Sequence, residues 1–237
     1  MKGMKKLPHG QIFAVPMPDG TYIFGRVMLD IYGVQKRRLL PVDSPLPFFN
    51  MGYLIEMYSG IQKKPEYVPS PILIAGAFVE SKEVGNAWPV VGHEPVDPKK
   101  VEFPEGLIGY DTPQGEVALQ CGEMRIPVPM IQRGAERKVG ENVVKDVGYF
   151  FLSGGEVIYS GLGSYPSSHW SYMCLWALGR VDEIPAEWPG VRVGLARGDL
   201  RFSPRRAEVY AHLPFPMELS YYEKQKQMGF NLERLYE

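Results

Sequence analysis

The strongest constraint on the fold lies in residues 9–28, HGQIFAVPMPDGTYIFGRVM. Two apolar, β-prone runs flank Pro18-Asp19-Gly20, a turn signal. Asp-Gly supplies the backbone freedom a tight reversal needs, and the β-branched and aromatic residues on either side suit paired strands. The chain therefore has to open on a β-hairpin, with strands expected over 11–15 and 21–30. In the second strand Thr21, Ile23 and Gly25 fall on one side, and Tyr22, Phe24 and Arg26 on the other. Both sides carry apolar groups, so this strand is expected to be buried.

Composition points the same way. There are 26 glycines and 22 prolines in 237 residues, which favours many short strands and turns over long helices. A 45% hydrophobic content is enough for a proper core. The net charge of −1 and pI near 6.5 argue against nonspecific nucleic-acid binding, which needs a basic surface to release counterions. They argue equally against a strongly acidic mimic of nucleic acid. Cys121 and Cys174 are too few and too far apart for a disulfide framework or a zinc site, and both are expected reduced and buried. The basic start MKGMKKLPHG has no apolar segment behind it, so no secretory signal is read there. No run approaches the roughly 18 apolar residues of a spanning helix. A soluble, cytoplasmic protein is expected.

The hairpin also resembles the start of the bacterial immunity protein 26 family. That family opens on Gly-x-(Val/Ile)-Phe-Ala-(Ile/Val)-Pro-(Leu/Met), an Asp-Gly turn and a Phe-Gly-Arg-Val strand. Here these are Gly10-Gln11-Ile12-Phe13-Ala14-Val15-Pro16-Met17, Asp19-Gly20 and Phe24-Gly25-Arg26-Val27. A second family element, Trp-x-x-(Ile/Val)-Gly-x-x-Pro, is matched by Trp88-Pro89-Val90-Val91-Gly92-His93-Glu94-Pro95. The resemblance spans residues 9–111, under half the chain, and rests on the motifs at its two ends, with residues 29–68 left unaligned between them. It implies an all-β domain that neutralises a cognate toxin by direct association, with no catalysis and no cofactor.

Further strands are expected over 53–58, 72–80, 106–111 and 116–120, the last two around a turn at Thr112-Pro113-Gln114-Gly115. Residues 125–131 hold two prolines and read as an edge strand. Residues 132–145, QRGAERKVGENVVK, read as a linker. Strands over 148–152 and 156–161 flank Ser153-Gly154-Gly155. Residues 167–179 carry Trp170, Met173, Cys174, Ala177 and Leu178 at helical spacing, with Ser167 or Ser168 as cap and Gly179 as stop. This helix is expected to pack on the C-terminal strands. A short strand is expected over 207–212 and a second helix over 217–228. The whole is read as mainly β (α+β). It comprises a domain over 1–131, an N-terminal β-barrel or strongly curved antiparallel sheet of SH3-like kind, and a C-terminal α+β region over 146–237, separate or packed on the first.

No catalytic motif stands out. His9, His93, His169 and His212 do not fall at metal-ligand spacing. Gly161-Leu162-Gly163-Ser164 is not a nucleophile elbow, because Tyr165-Pro166 follows. Cys174 sits in an apolar stripe with His169 off its helical face. An enzyme would have to assemble its site from dispersed residues such as His93, Glu94, Asp111, His169 and Cys174. A nucleic-acid-binding β-barrel would use Tyr22, Phe24, Tyr53 and Tyr58 as stacking platforms, against the neutral net charge. For a toxin-binding protein the candidate partner-binding residues are Arg26, Trp88, Tyr22, Arg37 and Arg38. Arg26 ends an apolar strand, where it needs a carboxylate partner or serves as an interface anchor. Trp88 is either core or contact. Lys36-Arg37-Arg38 reads as a solvated strand start or a basic partner patch.

Overall fold

A computed structural model describes residues 7–42, 44–46, 52–80, 87–109, 116–132, 135–139, 142–146, 149–152, 157–159, 167–187, 192 and 198–237. The expected turns at 112–115 and 153–155, the segment 161–164 and Asp111 lie outside them. The chain divides into two compact units. One comprises Met1–Phe103, Gly163–Gly194 and Ser220–Glu237; the other comprises Pro104–Leu162 and Leu195–Leu219. The fold is mainly antiparallel sheet with a few helices.

The first unit is built on a five-stranded antiparallel sheet of order β4-β3-β2-β1-β5. Its strands are β1 (Gln11–Pro16), β2 (Tyr22–Asp30), β3 (Gly52–Gln62), β4 (Ile72–Glu80) and β5 (Val90–His93). The opening hairpin forms where the sequence places it. Gly20 N–H donates to the Met17 carbonyl at 3.0 Å with Gly20 at φ +80°, and Asp19 Oδ1 accepts from Thr21 N–H and Oγ1 at 3.0 and 2.6 Å. Those bonds favour the ionised carboxylate and lower the Asp19 pKa.

The β1–β2 register sets Phe13 opposite Gly25, and the β2–β3 register sets Gly25 opposite Met57. A Cβ at Gly25 would lie 2.5 Å from Phe13 Cζ, 2.6 Å from Met57 Sδ and 2.7 Å from the Glu56 carbonyl oxygen. Only glycine lets these side chains cross the strand. Trp88 stacks on the other end of this row, its ring 5.1 Å from that of Phe13 at 19°. Trp88 is core, 3% exposed.

The described residues of this unit also form α-helices. The first, α1 (Ile31–Lys36), follows β2 directly, with Asp30 as its cap, Oδ1 accepting from Gly33 N–H at 2.9 Å. The expected strand start at Lys36-Arg37-Arg38 is instead the end of α1. The Asp30 cap turns the chain into a helix before a strand can begin. The second, α2 (Ser167–Ala177), buries Trp170, Met173, Cys174 and Leu175, while Leu178 is half-buried. It packs on β1 and β4. The C-terminal strands, its expected partner, belong to the other unit. The helix expected over 217–228 begins later, at Tyr221–Gln227. Ser220 caps it, and a capping box with Glu223 fixes its start.

The second unit holds a five-stranded sheet of order β12-β11-β8-β7-β6 and a two-stranded ribbon. The strands are β6 (Glu105–Gly109), β7 (Glu116–Cys121), β8 (Met124–Gln132), β9 (Ala135–Val139), β10 (Asn142–Asp146), β11 (Tyr149–Leu152) and β12 (Val157–Tyr159). Two expectations are corrected here. The edge strand over 125–131 has neighbours on both sides, β7 and β11. Its prolines are tolerated because β11 pairs only from Met130 onward, and the β7 register skips across Pro129. The linker over 132–145 is the β9–β10 ribbon, whose register sets Glu136 opposite Lys145. The ladder is made by the backbone, which pairs irrespective of a charged composition.

The strand expected over 207–212 is a helix in this unit, Arg206–Tyr210, here α3. Arg206 and Tyr210 stand one turn apart, and both reach the buried Glu105 carboxylate. Arg206 donates from Nε and NH2 at 2.7 Å each, and the Tyr210 hydroxyl from 2.5 Å. Beside them Asp199 forms an ion pair with Arg201 at 2.6 Å. Burial pushes the Tyr210 hydroxyl pKa up, with the Glu105 charge adding to it. In chain order, α3 (Arg206–Tyr210) is followed by α4 (Tyr221–Gln227).

Candidate partner-binding surface

The site candidates all lie in the first unit, and the structure gives them different tasks. Arg26 stands directly across from Glu56 in the β2–β3 register. Its Nε donates to Glu56 Oε1 at 3.0 Å and its NH2 lies 2.8 Å from the same oxygen. The Tyr58 hydroxyl donates to that oxygen too, at 2.6 Å. Arg26 NH1 donates to the Pro95 carbonyl at 3.1 Å and lies 3.6 Å from Glu94 Oε2. The arginine side chain is 15% exposed and the glutamate 3%. Arg26 thus ties β2, β3 and the segment after β5 together. Glu56, which completes it, carries no signal in the sequence; only the register reveals it.

The stacking platforms of a nucleic-acid reading are mostly interior. Phe24 and Tyr58 form a buried cluster with Ala14, and Tyr22, Tyr67 and Val91 pack against it, each partly buried. Tyr53 is buried with its hydroxyl accepting from Leu7 N–H at 3.2 Å. Burial raises the Tyr58 and Tyr53 pKa values, and at Tyr58 the Glu56 bond and charge add to it. Only Tyr22 of the four remains half-accessible.

His93 is exposed on β5, and Glu94 faces Arg26. Cys121 and Cys174 are buried, unbridged thiols, and burial pushes the Cys174 pKa up, against thiolate formation. Among the described residues no group of three or more His, Cys, Asp or Glu could hold a metal ion.

Lys36, Arg37 and Arg38 are exposed at the end of α1. Arg37 NH2 donates to the Leu235 carbonyl at 3.1 Å. Beside them, a cleft of about 520 Å³ runs between the Pro8-His9 corner and α1, with Asp30, Val34 and Arg37 on its walls. The Tyr236 ring meets His9 edge-on at 5.1 Å. Burial lowers the His9 pKa below 6.5; the Arg37 and His93 charges act the same way, and Asp30 opposes them. Sequence reasoning missed the cleft because His9, Asp30 and Tyr236 meet only through folding.

Among the described residues no helix is long and apolar enough to cross a membrane. No curated protein and no solved structure matches the chain. What does match, as the opening hairpin and the Trp88 stretch led us to expect, is the model of the immunity protein 26 family, over residues 8–108, the part of the chain that carries the five-stranded sheet and its Phe13–Trp88 stack.

Proposed function

We propose that this protein neutralises a cognate bacterial toxin by binding it directly, in the cytoplasm and without chemistry of its own. The family match over residues 8–108 carries this reading. The architecture is consistent with it. A binding protein needs a rigid frame and a few accessible anchors, not converging catalytic groups. The sheet supplies the frame, with Arg26 bonded to Glu56 and Trp88 packed on Phe13. Arg37, Arg38 and Tyr22 are the partner-binding candidates with accessible side chains, and the exposed edge of Arg26 borders the same sheet. The test is co-expression with the product of the adjacent upstream gene. Cells that receive both should survive, and a tagged copy of this chain should retain that product on a column. Failure of both protection and retention rejects the reading.

A further inference from the structure

Helices α1, α2 and α4 of the first unit end in the same hydrogen-bonded motif. In α2, Arg180 N–H donates to the Leu175 carbonyl and Gly179 N–H to the Trp176 carbonyl. In α4, Phe230 N–H donates to Gln225 and Gly229 N–H to Lys226. In α1, Leu39 N–H donates to Val34 and Arg38 N–H to Gln35. This ending places one residue in the left-handed conformation, where glycine is at ease and a side chain is not. In α2 and α4 that residue is glycine, at φ +76° and +81°. In α1 it is Arg38, at φ +60°, the one non-glycine residue with positive φ among the described residues.

A residue held at local cost, with its side chain in solvent, points to use of that side chain. The charges around it strengthen the case. Arg26, Arg180, Arg201, Arg205 and Arg206 each face a carboxylate. Lys36, Arg37 and Arg38 face none among the described residues, in a chain whose net charge is −1. The nearest acid on α1, Asp30, has Oδ1 committed to the helix cap. Tyr32 stands one turn before Lys36 and is 42% exposed, giving the patch an aromatic beside its cations. Arginine and tyrosine are the side chains on which protein interfaces concentrate their affinity.

We propose that the end of α1, Lys36-Arg37-Arg38 with Tyr32 and the adjoining cleft, receives an acidic segment of the protein partner. The proposal rests on the immunity reading and gives its partner a chemistry.

The test is the affinity for the purified product of the adjacent upstream gene, measured by calorimetry, with melting curves of every variant. Lys36→Glu with Arg38→Glu leaves the Arg37–Leu235 contact in place and should weaken binding by about 100-fold, since like charges then meet across the interface. Arg38→Gly, which suits the backbone, should weaken it by roughly tenfold through loss of one charged contact. Wild-type affinity should fall as salt rises from about 50 to about 300 mM, where the screening length shrinks to roughly 40% of its starting value. Wild-type binding with an unchanged affinity in Arg38→Gly and no salt dependence overturns the proposal and leaves the immunity reading standing. If the double variant melts early, Arg38→Gly and the salt series decide alone. A wild-type chain that neither binds nor protects overturns both. A single-stranded oligonucleotide of about 20 nucleotides that displaces the protein partner from the same residues overturns the proposal in favour of nucleic acid.

Discussion

The middle of β2 and the end of α1 lie ten residues apart and solve opposite problems. Around Gly25 and Arg26 every unusual residue is answered from within. Glycine makes room for Phe13 and Met57, arginine meets Glu56, and Trp88 covers Phe13. At the end of α1, three cations meet no carboxylate among the described residues, and an arginine occupies a backbone position that α2 and α4 give to glycine. The residues that carry the family resemblance are thus those that build the sheet. A surface that differs from partner to partner is better placed outside them, where a substitution does not disturb the core.

The largest expected effects fall in the β2 region. Trp88→Ala should lower stability by about 3–5 kcal/mol, the usual cost of removing a buried aromatic and leaving its cavity. Trp170, fully buried on α2, should behave alike. The midpoint of chemical denaturation measures both. A midpoint unmoved in Trp88→Ala would put this side chain at a surface and remove the contrast between the two regions.

Arg26→Ala comes next. It leaves the Glu56 carboxylate, 3% exposed, with the Tyr58 hydroxyl still donating to Oε1 but no counter-charge from Arg26. Stranding a buried acceptor of this kind should cost about 2–4 kcal/mol. Arg26→Met combined with Glu56→Leu should recover most of that, because an apolar pair leaves no buried charge. Protection in the cell should then follow stability. An Arg26→Ala protein that melts like wild type yet fails to protect would make Arg26 a direct partner contact.

Arg38→Gly should act in the opposite sense on the other region. Relieving the left-handed strain should raise stability by about 1 kcal/mol, seen as a melting point a few degrees higher. No gain would mean that Arg38 is held in place by a compensating contact, and the argument from its backbone would fail.

How much of this was legible in the sequence depended on whether the signal was local. Asp19-Gly20 announces its turn, because the chemistry that reverses the chain lies in those two residues. Gly179 ends α2 for the same reason. The left-handed Arg38 gives no such sign, since arginine has no preference for that conformation and the tight turn is set by hydrogen bonds to Val34 and Gln35. Neither does Glu56, which meets Arg26 thirty residues away in sequence through strand register. Residues 207–212 read as a strand because Val209 and Tyr210 favour one; the helix over Arg206–Tyr210 gains from placing Arg206 and Tyr210 together on Glu105, a partner about a hundred residues away. The charged ribbon β9–β10 hid for a related reason. Its pairing is made by the backbone, and its composition argues against strands.

The smallest expected effect is a change in how His9 titrates, and it measures whether the charge at the end of α1 reaches the cleft. Burial is the main cause that holds the His9 pKa below 6.5, followed by the Arg37 charge and then His93, with Asp30 opposing. A histidine with a lowered folded pKa stays neutral in the fold while the unfolded chain takes up its proton. Its contribution to stability is therefore complete above the ordinary imidazole range and declines as the pH falls below about 6.5. Arg37→Gln removes the cation while leaving a polar side chain at the exposed end of α1. The His9 pKa should then rise, staying below 6.5 because burial remains, and the loss of stability on acidification should become shallower. Following the His9 ring resonances by NMR from about pH 8 to about pH 5 measures the first, and melting curves over the same range measure the second. Identical titration in both proteins would mean that the Arg37 charge is screened before it reaches His9. The end of α1 would then present isolated solvated side chains instead of a shared positive field, and an acidic partner would have little reason to dock there.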